Sequence, residues 1–132
     1  MEDSKNAVFI TGANGGIGQS LCKVFSDAGY FVIGTDMHEQ ECDCDKYILA
    51  DLKQLVQDEI YRVSVIKNIT SSLQGKRLCG LVNNAATQLL DHIDELKIND
   101  FQSSFDINVF APLILIQEFL SELESANGSV VN

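Results

Sequence analysis

Residues 9–19, FITGANGGIGQ, place Gly12, Gly15, Gly16 and Gly18 within seven positions, directly after an apolar run and directly before an amphipathic one. Glycine loses more conformational freedom on ordering than any other residue. A folded chain therefore keeps four of them together only where the backbone must turn sharply or be approached closely. The flanks say which elements meet there. AVFIT (7–11) is a short, β-branched run of the kind buried on both faces of a parallel sheet. Ile17, Leu21, Val24, Phe25 and Ala28 then recur at helical spacing up to Gly29, which suits a C-terminal cap. Strand, glycine turn and helix in that order make a unit whose turn can bind phosphate.

The alternation continues down the chain. YFVIGTD (30–36), YILADL (47–52) and RLCGLV (77–82) are further buried strands, and the closing NGSVVN begins a fifth. Between the second and third strands, MHEQECDCDK has too few apolar positions for a packed crossover helix and is expected to be an abbreviated loop. Leu55, Ile60, Val63, Ile66, Ile69 and Leu73 predict one helix within 54–73 that stops before Gly75. Asn99 is expected to cap a long helix over about 100–124, with Phe101, Phe105, Val109, Leu113, Ile116 and Leu120 on one face. Continuous apolar strands alternating with helices specify an α/β fold: a Rossmann-like, doubly wound parallel sheet of about five strands in the order 3-2-1-4-5. Ligands of such sheets bind at the carboxyl ends of the strands.

Composition narrows the partners. At 132 residues the chain is expected to be one domain, 1–132, and its 45% apolar content is that of a folded protein. The net charge of −10, with no run of Lys or Arg, disfavours nucleic acid. The longest apolar stretch, VFAPLILI (109–116), falls well short of the ~20 residues that span a bilayer. MEDSKN at the start has none of the features of a secretory signal, so the expected location is cytoplasmic, with no membrane partner. Cys22 and Cys79 lie in apolar patterns and are expected to be buried thiols. ECDCD (41–45) lacks common zinc spacing; binding of a soft metal is the alternative to the expected acidic surface loop, and no metal site is assigned. His38 and His92 stand in loops with no partner at fixed spacing, as ordinary surface residues do.

Three phosphate-turn spacings can be tested against the glycines. A Walker loop needs Lys where Gly18 stands, and G-x-G-x-x-G started from Gly16 ends on Leu21. T-G-x-x-x-G-x-G fits, as Thr11, Gly12, Gly16 and Gly18. In this spacing the chain resembles the short-chain dehydrogenase/reductase family. The resemblance extends to NNAA (83–86) where the family has N-N-A-G, to Asp51 and Leu52 where it holds adenine, and to Asn108 where it has its active-site asparagine. Ala86 in place of glycine and the short loop after Asp36 depart from the family pattern.

The resemblance implies an NAD-dependent oxidoreductase that moves hydride between nicotinamide and a carbonyl or alcohol carbon. Gly12 would allow the turn, and Gly16 and Gly18 would let backbone amides approach the pyrophosphate, with Asn14, Gly15 and Ile17 in contact. Asp36, at the end of the second strand, is placed to accept hydrogen bonds from the adenosine ribose; the alternative is a solvated loop acid. Neither Gly15 nor Met37 supplies the cation expected for a 2′-phosphate, which favours NAD over NADP. Asp51 would cap a helix and, with Leu52, meet adenine. Asn83 would tie neighbouring strands together, while Ala85 and Ala86 leave room for the nicotinamide-side ribose. Asn108 would anchor a water in a proton relay: Pro112 has no N–H to bond its carbonyl, although a merely structural kink is the equal alternative.

In the family a Tyr acts as acid/base beyond the fifth strand, with a neighbouring Lys and a Ser that orients the substrate. No Tyr here is followed by Lys at the fourth position, and the chain stops at Asn132, so the resemblance implies a domain incomplete at its C-terminal end. The alternatives are a fragment of an NAD-dependent oxidoreductase that carries its cofactor-binding portion, a non-catalytic NAD-binding or interaction module, and a fold that binds no cofactor. A small-molecule substrate is expected only for a longer form. Self-association is expected through the fifth strand or the long helix, with Phe110, Leu113, Ile114 and Leu115 uncovered.

Overall fold

A computed structural model describes residues 5–39 and 42–132. Five parallel strands form one sheet in the order β3-β2-β1-β4-β5, with β1 at Asn6–Thr11, β2 at Phe31–Asp36, β3 at Lys46–Leu49, β4 at Arg77–Val82 and β5 at Ser129–Val131. Successive residues of β1 face opposite sides, and both sides are buried. Ala7 and Phe9 join Ile33, Leu78 and Leu81 under one layer of helices, while Val8 and Ile10 join Val32 and Val82 under another. This two-sided burial makes each strand a continuous apolar run.

Helix α1 (Gly16–Asp27) covers the second side through Gly18 and Cys22. Ile17 and Val24, which belong to the apolar pattern, point away and are 70% and 63% exposed. The third strand ends at Leu49, three residues before the expected limit, because Asp51 already caps the next helix. Its carboxylate accepts from the amides of Lys53 (2.9 Å) and Gln54 (3.3 Å).

The single helix expected over 54–73 is two. Helix α2 (Leu52–Gln57) and α3 (Glu59–Leu73) meet at Asp58, whose backbone is extended while its side chain caps α3 by accepting from the Tyr61 amide at 3.1 Å. Arg62 clamps the elbow, donating from Nε to Leu55 O (2.8 Å) and from Nη2 to Val56 O (2.7 Å), so a cation closes the carbonyl end of α2. The break resets the helical phase. Val65, Ile69 and Leu73 face the core, and Ile60 and Val63 of the anticipated stripe are exposed.

The last helical run also departs from expectation. It starts at Ile98 behind Lys97, without the cap expected from Asn99, as α4 (Ile98–Phe105). It widens to a π turn over Asp106–Phe110, where the Ala111 amide bonds the Asp106 carbonyl five residues back, and resumes as α5 (Ala111–Ser125). The widening falls just before Pro112, which has no N–H to give. Ala111, Leu115, Phe119 and Leu123 form the buried face, with Phe9 and Phe119 edge to face at 5.7 Å. Phe101, Phe105, Val109, Leu113 and Leu120 are exposed, and Leu115, expected to be uncovered, is buried. The 28-residue run Ile98–Ser125 is, by length and composition alone, long and apolar enough to cross a membrane. That alters the expectation drawn from VFAPLILI by itself.

Candidate functional site

At the carboxyl end of the sheet lies a cleft of about 510 Å³ with four walls, drawn from five chain segments. Gly12, Gly15, Gly16 and Ile17 form one wall, and Thr35, Asp36 and Met37 the second. Ala50, Asp51 and Leu52 form the third; Asn84, Ala85, Ala86 and Thr87, with Ile107, form the fourth.

The glycine turn is set by two close approaches. Gly12 has φ +65°, and a Cβ on it would lie 2.9 Å from Ala85 Cα. Gly18 supports the turn from within: its Cβ would fall 1.9 Å from the Gly12 carbonyl oxygen. Gly18 therefore packs the helix onto the turn and does not line the cleft. Gly16 has open space where a side chain would stand. Helix α1 begins after Gly15 with no side-chain cap, leaving its first-turn amides to other acceptors.

Hydrogen bonds join the walls. Asn84 Nδ2 donates to Gly12 O (3.2 Å), and the Ala85 amide donates to buried Thr11 Oγ1 (3.0 Å). The Asp36 carboxylate is held by two amides, Asn14 N to Oδ2 (2.9 Å) and Met37 N to Oδ1 (2.7 Å). Each oxygen keeps a further lone pair. Tyr47 sits behind them: its hydroxyl accepts from Asn14 Nδ2 (3.3 Å) and donates to the carbonyl of His38. Burial, aided by the charge on Asp36, raises the Tyr47 pKa, which keeps the hydroxyl protonated as a donor.

Of the residues singled out in the sequence, Asn14, Gly18, Asn83 and Asn108 stand outside the cleft lining. Asn14 orients Asp36. Asn83 ties β4 to the end of β5, its amide N–H donating to Val131 O (2.8 Å) and its Nδ2 to Asn132 Oδ1 (2.8 Å). Asn108 closes a two-way bridge: the Thr87 amide donates to its Oδ1 and its Nδ2 to Thr87 O, both at 2.8 Å. The π turn thus holds the loop that follows β4. Asn108→Ala is expected to cost about 1–2 kcal/mol in urea unfolding and to remove hydrogen-exchange protection from the Thr87 amide. Unchanged protection there would refute the bridge.

Thr35, Ala50, Asn84, Thr87 and Ile107 line the cleft without having been assigned to it. Asn84 was within reach of sequence reasoning, because it sits inside NNAA. Tyr47 gave no signal, since its partners are nine to 33 residues away.

The profile of the short chain dehydrogenase family matches residues 6–132. The chain belongs to this family. It is 30% identical over 133 residues to short-chain dehydrogenase PC-15 of Penicillium crustosum, covering 97% of this chain and 48% of that protein. It is 33% identical over 135 residues to 1,2-dihydroxy-1,2-dihydronaphthalene dehydrogenase of Pseudomonas putida, covering 97% and 52%. A short-chain dehydrogenase/reductase from Brucella ovis, solved with a partially ordered NAD, superposes with a TM-score of 0.81 at 30% identity, covering 96% of this chain and 61% of that one. The chain spans about half the length of the curated relatives it matches.

Proposed function

We propose that this chain is the NAD(H)-binding portion of an oxidoreductase acting on a carbonyl or alcohol substrate. The observation that carries the reading is the amide-held Asp36 carboxylate at a cleft that also receives the uncapped start of α1. The adenosine ribose hydroxyls would donate to the remaining lone pairs of Asp36, and the pyrophosphate would take the amides near Gly16 and Ile17, where no side chain intrudes. Asp51 and Leu52 would bound the adenine. Ala85 and Ala86 are small enough to admit the nicotinamide-side ribose. Among the described residues, no Lys or Arg lines the cleft to balance a 2′-phosphate, which favours NAD over NADP. The NAD found in the Brucella ovis relative supports the same choice.

When bound, nicotinamide supplies a carbon that accepts or donates hydride. The chain's own part is to bind and orient it. Asn108 spends its side chain on Thr87 and Ser104, so a water anchored at this residue would have its backbone carbonyl to use. No Tyr, Lys, His or Cys lines the cleft among the described residues, so the reading assigns these 132 residues binding without turnover. Titration calorimetry with NADH and NADPH tests the reading, and tighter binding of NADPH would sink it.

The same reading includes a cytoplasmic location and self-association. The four cysteines are free, as in a reducing compartment, and Phe101, Phe105, Phe110 and Leu113 form an exposed apolar face on α4, the π turn and α5. Light scattering at micromolar concentration is expected to report a dimer or larger, and Leu113→Lys to shift it toward monomer. A monomeric parent chain would refute the assembly.

A further inference from the structure

Away from the cleft, the thiols of Cys22, Cys42 and Cys44 gather on the α1 side of the sheet. The segment expected to be an acidic surface loop divides by residue: Asp43 and Asp45 are exposed, while Cys42 and Cys44 turn inward. Gly34 makes the room, since a Cβ there would lie 2.7 Å from Cys42 Sγ and 3.2 Å from Cys44 Sγ. A tight turn joins the pair, the Cys44 amide donating to Cys42 O at 3.0 Å. Burial pushes Cys42 up to about 11 and Cys44 up to about 12, so both are neutral thiols near pH 7. Among the described residues no three His, Cys, Asp or Glu side chains are arranged to hold a metal ion. The chemistry left to the cluster is that of paired thiols.

We infer that Cys42 and Cys44 are a redox-active dithiol, closed to a disulfide by exchange with a small disulfide of the glutathione class. The small fraction of Cys42 that is deprotonated in alkaline solution attacks one sulfur of that disulfide, breaking its S–S bond and releasing one glutathione thiolate, which takes up the proton Cys42 has lost. Cys44 then attacks the Cys42 sulfur of the mixed disulfide and expels the second glutathione, which takes up the Cys44 proton. Two cysteines are oxidised and one small disulfide is reduced to two thiols. Both cysteines are half-buried, which leaves an approach for the reagent. Bonding draws the sulfurs to about 2.0 Å.

The connection that carries them begins at Asp36 and is tied to Tyr47 through His38. We take Tyr47, which bonds Asn14 and the His38 carbonyl and lies within electrostatic reach of Cys42 and Cys44, as the route from the thiols to the carboxylate that the proposed function assigns to the ribose. Resting on that reading, the bridged chain is expected to bind NADH about tenfold more weakly than the dithiol.

The full chain would be incubated with glutathione disulfide in mildly alkaline buffer, its free thiols alkylated, and its bridges mapped by mass spectrometry. A Cys42–Cys44 bridge that Cys42→Ser or Cys44→Ser abolishes and Cys79→Ser leaves intact is the expected result. Free Cys42 and Cys44, persistent mixed disulfides, or a bridge to Cys22 or Cys79 would overturn the dithiol. Separate NADH titrations of the reduced and bridged chains keep the two ideas apart. A reduced chain that fails to bind NADH defeats the functional reading and leaves the mapping to stand; equal affinity of the two forms defeats the coupling.

Discussion

Gly18→Ala is expected to cost the chain a large share of its stability. The added Cβ would sit 1.9 Å from the Gly12 carbonyl oxygen, 2.8 Å from the Gly12 carbonyl carbon and 2.9 Å from Ala13 Cα. All three are backbone atoms of the turn, so no side-chain rotation relieves the overlap, and either the helix or the turn must move. A loss on the order of 3–5 kcal/mol follows, against a typical total of about 5–15 kcal/mol for a domain. Gly16→Ala is the control, because nothing lies within 4 Å of its Cβ position. It is expected to unfold within about 0.5 kcal/mol of the parent in urea while binding NADH more weakly, its methyl standing where the pyrophosphate would approach. Equal stability of the two variants would refute the packing role of Gly18.

Asp36→Ala combined with Met37→Arg is expected to change the ratio of NADH to NADPH affinity by about 100-fold or more. The first substitution removes a carboxylate that would repel a 2′-phosphate, and the second adds a guanidinium to pair with it. Hydrogen bonds to charged groups contribute about 1.5–3 kcal/mol each. The carboxylate also accepts from the amides of Asn14 and Met37, so the double variant loosens the mouth of the cleft as well. Asp36→Asn separates the effects, since it keeps an acceptor and drops the charge. A double variant that still prefers NADH by the parent margin would refute the assignment of Asp36.

The sheet was legible because burial on both faces leaves each strand uniformly apolar, and the glycine spacing marked the first turn. The helices were less so. Asp58 resembles any polar residue in an amphipathic stripe, and only its extended backbone separates Leu55 from the phase of Val65, Ile69 and Leu73. The long helical run is apolar on two sides, so periodicity could not tell the buried line through Leu115 and Phe119 from the exposed one through Phe105 and Leu113. The inward turn of Cys42 and Cys44 gave no signal because their acidic neighbours dominate the local composition, whereas the space that receives them belongs to Gly34, eight and ten residues earlier.

The bonds among the cleft walls bear on what a ligand must spend to bind. Thr11 with Ala85, Gly12 with Asn84, and Asn14 with Asp36 are contacts of the protein with itself, so three loops from three strands hold their positions without help. A guest entering a preorganised cleft gives up less of its interaction energy to ordering its host. Small pieces of the dinucleotide, such as AMP or ADP-ribose, should then retain a large affinity per atom. The adenosine end would serve as an anchor whose strength is independent of any substrate.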